Sequence, residues 1–204
     1  MTRLTTTVTV QSEVDPGATA KLYALYLRAF AHLEQLAAAR HLLHEEEFRN
    51  EIEDRRILKY IAWDPEGAPV AFGTVTDSLD AVPWISPGFY AHRFPEHHAR
   101  GAIHYVGVMM VDPSAQGAGA FREIMRQVAV AASDVGAVIA WDLSESNQSA
   151  GVHRLLSAML STMLDSTAFE VDRQIYYGAV VEQGSLTNVA RAKKPSAPAR
   201  REEP

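Results

Sequence analysis

The feature that most constrains this sequence is a β-strand-like run that passes through a loop of small residues into an amphipathic helix. The run extends from Ile103 to Val111, and the loop is Asp112–Ala120. Hydrophobic residues then recur at helical spacing, at Phe121, Ile124, Met125, Val128 and Ala132. The sequence therefore predicts a strand, a loop and a helix with one buried face, in this order.

The loop is predicted to hold a pyrophosphate, with a tight packing turn as the alternative. Its small residues let backbone N–H groups approach a phosphate, and the helix N-terminus adds partial positive charge. The sequence lacks the Gly-Lys-Ser/Thr of a Walker loop and the Gly-x-Gly-x-x-Gly of a dinucleotide fingerprint. Nucleotide hydrolysis and hydride transfer are therefore disfavoured.

At these residues the chain resembles the GNAT acyltransferase superfamily, whose motif is Val-x-Pro at a strand end followed by Gln/Arg-x-x-Gly-x-Gly/Ala. Here the first part is Val111-Asp112-Pro113, and Gln116 and Gly119 match the second part. The last position carries the bulky Phe121, which is expected to weaken or redirect cofactor binding. The resemblance implies that acetyl-CoA or another acyl-CoA is bound by the loop residues Gln116, Gly117, Ala118, Gly119, Ala120 and Phe121.

The resemblance also implies cofactor contacts outside the loop. Backbone N–H groups around Met110 and Val111 would polarise the thioester carbonyl where the central strands splay apart. Asn147 corresponds to an asparagine that contacts the cofactor arm, and a helix N-cap is an equally good interpretation of it. Seven residues later, where the family often has a tyrosine that protonates the CoA thiolate, the chain has Arg154, preceded by His153.

The function predicted from this resemblance is transfer of an acetyl or longer acyl group from acyl-CoA to an amine. This reaction needs a neutral amine, a polarised carbonyl and a proton for the leaving sulfur. His104 is the candidate base and His153 the candidate acid, because an unperturbed histidine titrates near neutrality. A structural role is the commoner one for such histidines. A non-catalytic GNAT-like binding or scaffold domain, and acyl transfer from a carrier protein, remain alternatives.

The whole chain predicts an α/β protein with a central mixed β-sheet flanked by helices, which the resemblance also implies. The predicted elements are a strand over Thr6–Gln11, helices over Pro16–Ala39 and Glu45–Arg56, a hairpin of Ile57–Trp63 and Val70–Thr76, a strand over Ala137–Leu143, an apolar helical stripe from Val152 to Met163, and at least one strand in Phe169–Val181. The charged Glu45–Arg56 helix is interpreted as a solvated face with intrahelical ion pairs.

Residues 1–183 are predicted to form one GNAT-like acyl-CoA-binding domain, and residues 184–204 a disordered, flexible tail. The tail is rich in Ser, Pro, Ala and charged residues, which cannot bury enough apolar surface to order it. The long connection Ser78–Arg100 carries several aromatic residues and is either a lid or a structural cover for the sheet. No metal site is predicted, because the histidines of this connection, His92, His97 and His98, do not form a zinc-binding sequence motif.

The composition of the chain limits the classes of partner that it is expected to bind. With 19 Lys and Arg against 25 Asp and Glu, the net charge of −6 argues against nucleic acid. The chain has no cysteine, which excludes disulfides and thiolate chemistry. The first residues lack the apolar core of a signal peptide, and no run is long enough to span a membrane. We expect a cytoplasmic protein that acts on a small-molecule or peptide amine, with no membrane partner; a homodimer is compatible with the sequence.

Overall fold

The structure is a computed structural model that describes residues 6–30, 43–117, 119–181 and 183. The chain divides into two units, with the boundary between Phe169 and Glu170. The predicted tail, 184–204, lies outside the described residues, so the proposed domain boundary stays a prediction.

The first unit contains a five-stranded sheet and its helices. The strands are β1 (Thr7–Gln11), β2 (Leu58–Trp63), β3 (Pro69–Thr76), β4 (Ile103–Val111) and β5 (Val138–Trp141). The helices are α1 (Pro16–Phe30), α2 (Glu45–Glu53), α3 (Pro87–Arg93), α4 (Pro95–Ala99), α5 (Ala120–Val135), α6 (Glu145–Ser149) and α7 (Val152–Met163). The strands follow chain order in the sheet; β1 to β4 are antiparallel, and β4 and β5 are parallel. The predicted α/β fold with a mixed sheet is confirmed.

The predicted hairpin is formed by β2 and β3. Its turn is closed by the Asp64 amide, which donates to the Ala68 carbonyl at 2.9 Å, while the Asp64 side chain accepts from the Ala68 amide at 2.7 Å. Gly67 takes a φ of +78°, a conformation that side chains rarely tolerate. Every residue of β3 is buried, because helices cover both faces of the sheet at this strand.

The two faces of the sheet bury separate clusters. On one face, α1 and α2 place Leu22, Leu25, Tyr26, Phe48 and Ile52 against Ile61, Phe72, Val108 and Met110. On the other face, α5 places Ala120, Ile124 and Val128 against Tyr60, Ala62, Val75 and Val106. This alternation fixes the side of the sheet on which each residue of β4 lies.

The connection between β3 and β4 folds onto the start of β4. It contains a short 3-10 turn, Leu79–Ala81, followed by α3 and α4. Tyr90 and Phe94 pack with Ile103 and Tyr105, and the Tyr90 and Tyr105 rings meet edge to face at 6.1 Å. The structural-cover interpretation of this segment therefore agrees with its packing, and the lid remains a prediction.

Two predicted helices differ from the structure in extent. Helix α1 ends at Phe30 in the described residues, and the rest of the predicted Pro16–Ala39 helix lies outside them. Helix α2 ends at Glu53 rather than Arg56, because Asp54 is extended and its carboxylate accepts from the Arg56 amide at 2.9 Å. The interpretation of α2 as a solvated face is incomplete, since Phe48 and Ile52 are buried.

Two apolar segments near the C-terminus bury fewer residues than predicted. The strand predicted within Phe169–Val181 is not formed, and Tyr177 and Val180 are fully exposed. A strand needs a hydrogen-bonded partner, and none of the described residues pairs with this segment. In α7 the predicted helix is confirmed, but Leu155 is exposed and only Leu160 is buried. None of the helices in the described ranges has the length and apolar character needed to span a bilayer.

Candidate active site

Strand β5 pairs with only the first part of β4. The parallel pairing runs from Ile103 opposite Val138 to Val106 opposite Trp141, where β5 ends. Strand β4 continues to Val111, so in the described structure Gly107–Val111 has no strand on its β5 side. We call this side of Gly107–Val111 the open edge, and its backbone groups have no strand partner among the described residues.

The hydrogen bonds on the β3 side show which amides face this open edge. The Asp112 amide donates to the Val70 carbonyl and the Val108 amide donates to Thr74 Oγ1, both at 2.8 Å. Because successive amides of a strand point to opposite sides, those of Met109 and Val111 point away from β3, toward the open edge. The amide of Met110, one of the sequence candidates, points toward β3 instead. The geometry favours Met109 and Val111 as donors.

The glycine loop after β4 is held at its first residue. The Asp112 carboxylate accepts hydrogen bonds from the Ser114 amide at 2.9 Å and the Ser114 hydroxyl at 2.6 Å. It also accepts from the Arg28 guanidinium of α1 at 2.8 Å. Burial alone would raise the pKa of Asp112, but the hydrogen bonds from Ser114 and Arg28 outweigh it and lower the pKa. The start of the loop is therefore tied to α1.

The two glycines of the loop have positive φ values, in the left-handed region that favours glycine. Gly117 and Gly119 have φ values of +81° and +94°, and open space surrounds the position of a Cβ on Gly119. Gly119 is the N-cap of α5, whose first intrahelical bond is from the Glu123 amide to the Gly119 carbonyl at 3.0 Å. The amides of the first turn before Glu123 thus have no intrahelical acceptor and can bind an anion.

The other predicted loop residues occupy different environments. Gln116 is exposed, Phe121 is half-buried, and Ala118 lies outside the described residues. The side chain of Ala120 is buried in the core against α5 and the sheet, so only its amide remains for a ligand. Phe121 does not join the fully buried face that its helical spacing predicted.

Strand β4 contains a bulge at the start of its open edge. Gly73 pairs with Met109, whereas Val75 pairs with Val106, so β4 has one more residue than β3 between these pairs. Thr74 therefore faces two residues, Gly107 and Val108. A bulge of this kind re-aims the backbone and often lies next to a functional site.

A carboxylate from α2 lies under this bulge. Thr74 Oγ1 accepts from the Val108 amide and donates to Glu51 Oε1 at 3.0 Å. Burial raises the pKa of the Glu51 carboxyl, while the Thr74 hydrogen bond and the charge of Lys59 oppose the increase. Lys59 is fully buried and donates its Nζ hydrogens to the carbonyls of Asp54 at 2.6 Å and Ser12 at 3.0 Å. Burial lowers the pKa of Lys59 to about 8.

Aromatic residues border the same bulge. A Cβ placed on Gly107 would lie 3.8 Å from Cζ2 of Trp84, whose surface is about half exposed. The side chain of Trp84 interacts with the hydroxyl of Tyr105, which itself donates to Asp142. Burial and the nearby Asp142 raise the pKa of Tyr105, so this hydroxyl stays protonated.

Of the two candidate histidines, His104 precedes the open edge on β4, and His153 lies in the first turn of α7. His104 is half-buried, and burial lowers its pKa against the opposing charge of Asp77. It pairs with Ile139 in the part of β4 that is still bonded to β5, on the face covered by α5. The Nδ1 atoms of His104 and His153 are buried and have no hydrogen-bond partner in the described structure. Among the described residues, no group of three metal-ligating side chains occurs.

The start of α6 shows that one of the two interpretations of Asn147, the helix N-cap, is wrong. The N-cap of α6 is Ser144, whose hydroxyl accepts from the Asn147 amide at 3.2 Å. Asn147 lies inside the helix and is half-buried, so it is not the cap. Its role as a cofactor contact stays a prediction.

Sequence reasoning missed Glu51 and Thr74. Glu51 sits among the charged residues of α2, and nothing local distinguishes it from its exposed neighbours. Gly107 was one sequence signal for this site, because a glycine inside a strand often marks a bulge or a place where another group approaches the backbone closely.

Comparison with known proteins identifies the fold. No family model and no curated protein matches the chain. Among solved structures, aminoglycoside 6'-N-acetyltransferase AAC(6')-Ih from Acinetobacter baumannii is 16% identical over 87% of this chain and 99% of that chain, with a TM-score of 0.51. AAC(6')-IG from Acinetobacter haemolyticus is 13% identical over 86% and 99%, with a TM-score of 0.52. AAC(6')-Iy, solved with CoA, is 14% identical over 88% and 99%, with a TM-score of 0.51. The chain has the GNAT fold that its loop motif implied.

Proposed function

We propose that this protein transfers an acetyl or longer acyl group from acyl-CoA to an amine. The observation that carries the proposal is the continuity between the open edge of β4 and the glycine loop. Residues Gly107–Val111 leave an open edge beyond the end of β5, and residues 112–119 connect this edge to the N-terminus of α5. The GNAT fold and the CoA bound to one of its structural neighbours support this assignment.

The cofactor would be bound by backbone more than by side chains. Its pyrophosphate would accept hydrogen bonds from the first-turn amides of α5, which Gly117 and Gly119 leave accessible. Its pantetheine arm would follow the open edge, which spans about 13 Å from Val111 back to Gly107 at about 3.3 Å per residue. The amides of Met109 and Val111 would donate to this arm and to the thioester carbonyl, and Asn147 would contact it from α6.

The reaction would proceed by direct attack. The neutral amine attacks the thioester carbonyl, the C–N bond forms, and the C–S bond breaks as the CoA thiolate leaves. Amides aimed at the carbonyl oxygen stabilise its developing negative charge. In the sequence-based proposal, His104 takes the amine proton and His153 protonates the thiolate.

The acceptor is proposed to be a small-molecule or peptide amine. Several structural neighbours are aminoglycoside acetyltransferases by name, which supports a primary amine as acceptor without specifying the molecule. A non-catalytic binding domain is the second candidate, favoured by the half-buried Phe121 at the last position of the loop motif.

The test is cofactor binding by the parent protein and by two glycine variants. Acyl-CoA at about 100 times its Kd should stabilise the native state by about 2.7 kcal/mol. Gly119→Asp should abolish this stabilisation, because a carboxylate would stand beside the pyrophosphate. Gly67→Asp is the matched control: its φ is also positive and its surroundings are also open, but it lies in the β2–β3 turn. It should retain the shift.

Each result has a clear meaning. Free thiol released from acetyl-CoA in the presence of a primary amine would support the enzyme. An unchanged ligand-induced shift in Gly119→Asp would remove the loop from the cofactor site. Absence of any shift in the parent, across acyl-chain lengths, would contradict acyl-CoA binding and favour a carrier-protein donor or a non-catalytic domain.

A further inference from the structure

We propose that Glu51 is the proton acceptor for the attacking amine, and that the amine binds at the bulge of β4 on the face covered by α2. This inference rests on the acyl transfer proposed above. It assigns a role to a residue of α2 that the loop motif does not reach.

The Glu51 carboxylate lies beside the backbone of Gly107. A Cβ built on Gly107 would lie 2.9 Å from Thr74 Oγ1 and 3.5 Å from Glu51 Oε1. Gly107 begins the open edge and is partly exposed, so the carboxylate lies on the α2 face at the start of this edge. Because Gly107 has no side chain, nothing of its own separates the backbone from Glu51.

The Glu51 carboxylate is oriented by a hydrogen bond and is not paired in a salt bridge among the described residues. Thr74 holds Oε1, and in the described part of the chain Oε2 has no hydrogen bond of its own. Lys59, the nearby cation on β2, donates instead to backbone carbonyls. The charged and polar groups that face Glu51 are thus Thr74 from β3 and Lys59 from β2, and neither forms a salt bridge with it. A partly buried carboxylate with a raised pKa is a stronger base than an exposed one.

An exposed aromatic ring lies beside the carboxylate. Trp84 is about half exposed, and its ring lies next to Gly107. An ammonium group that approaches the bulge would meet an aromatic ring and a carboxylate, and both groups can attract a cation. The acceptor class that fits is therefore a primary amine that arrives protonated.

The position of His104 contrasts with that of Glu51. His104 lies on the face covered by α5 and precedes the opening between β4 and β5. Glu51 lies on the opposite face, at the bulge. The two candidate bases are therefore on different sides of the sheet, and a single pair of variants distinguishes them.

Protons and electron pairs balance in the proposed transfer. Glu51 takes one proton from the ammonium, and the neutral nitrogen attacks the thioester carbon. The C–N bond forms and the C–S bond breaks with its electron pair on sulfur. The second proton leaves the nitrogen and reaches the thiolate through water, which gives the amide and free CoA. Glu51 then releases its proton to solvent.

The experiment compares Glu51→Gln with Glu53→Gln. Glutamine preserves the size of the side chain and can still accept from Thr74, so the fold should survive, which thermal unfolding checks. Glu53 is exposed on the same helix and undergoes the same charge change. With acetyl-CoA and a primary amine near pH 7, Glu51→Gln should lower kcat at least about 100-fold. The Kd for acetyl-CoA should stay within about twofold, and Glu53→Gln should match the parent.

The pH profile gives a readout that a structural role would not produce. The acidic limb of the parent rate profile should be missing in Glu51→Gln, whose residual rate should rise with pH as the free amine loses its own proton. Parental turnover and an unchanged profile in Glu51→Gln would overturn the assignment and leave acyl transfer intact. Loss of turnover in His104→Ala with normal turnover in Glu51→Gln would return the role to His104. A parent without amine-dependent thiol release would overturn both proposals.

Discussion

Replacing Thr74 by valine tests whether the bulge and the carboxylate form one unit. Valine has nearly the same shape as threonine but can neither accept from the Val108 amide nor donate to Glu51. Both bonds are short, at 2.8 and 3.0 Å, and Thr74 is buried. The variant therefore removes two hydrogen bonds without creating a cavity.

The expected loss follows from the two partners left behind. A buried amide without an acceptor costs about 1–3 kcal/mol, and a hydrogen bond to a charged group contributes about 1.5–3 kcal/mol. At neutral pH we expect Thr74→Val to lower the free energy of unfolding by about 2.5–6 kcal/mol. The lower half of that range applies if Glu51 takes up a proton instead of remaining charged.

The loss should depend on pH in a defined direction. The folded pKa of Glu51 is raised above its ordinary value of 4.5, so the folded state binds more protons than the unfolded state between these two values. Stability is therefore lost as pH rises through this window. Without the Thr74 donor the folded pKa rises further, and the deficit of the variant should be larger at pH 7.5 than in mild acid.

Urea unfolding of the parent and the variant at both pH values measures this deficit. Thr76→Val is the control: Thr76 is also buried on β3, where it donates to the Arg56 carbonyl at 2.8 Å and accepts from the Ser78 amide at 3.0 Å. Its hydrogen bonds within the described residues are to backbone groups and not to a carboxylate, so its deficit should not change with pH. A Thr74→Val deficit that is equal at both pH values would refute the coupling between Thr74 and Glu51.

Two further predictions concern Lys59 and Phe121. Because burial lowers the pKa of Lys59 from 10.5 to about 8, the unfolded state binds more protons than the folded state between these pH values, and the free energy of unfolding should rise by up to about 3 kcal/mol across this window. In Lys59→Met, urea unfolding should show a flatter dependence of stability on pH. Equal slopes in the parent and the variant would contradict the effect of burial. Phe121→Gly should tighten acyl-CoA binding by calorimetry, with stability measured alongside, whereas a folded variant that binds more weakly would show that the ring assists the cofactor.

The elements that sequence predicted well are those specified by local patterns. The run Ile103–Val111, the small-residue loop and the following helix each carry their own periodicity or turn residues. The hairpin could be predicted because Asp64 and Gly67 specify its turn. In these segments, neighbouring residues determine the structure.

The elements that failed depend on distant partners. Phe169–Val181 is rich in β-forming residues, but β-propensity measures fit to a neighbouring strand, and none of the described residues supplies one. Glu51 looked like its exposed neighbours because its inward position depends on Thr74, which lies 23 residues later in the chain. Ser144 and Asn147 were both capable N-caps, and only the backbone geometry selected the serine.

The short open edge of β4 also bears on how the protein avoids association. An exposed strand edge usually invites pairing with a strand of another molecule, which is a route to aggregation. Here the bare stretch is only Gly107–Val111, and it begins directly after the last residue that is bonded to β5. An intruding strand could therefore pair along only a few residues, and the bulge at Gly107 and Val108 interrupts the regular register that it needs. A ligand that needs only a few backbone contacts could still use an edge that offers too little to a neighbouring polypeptide.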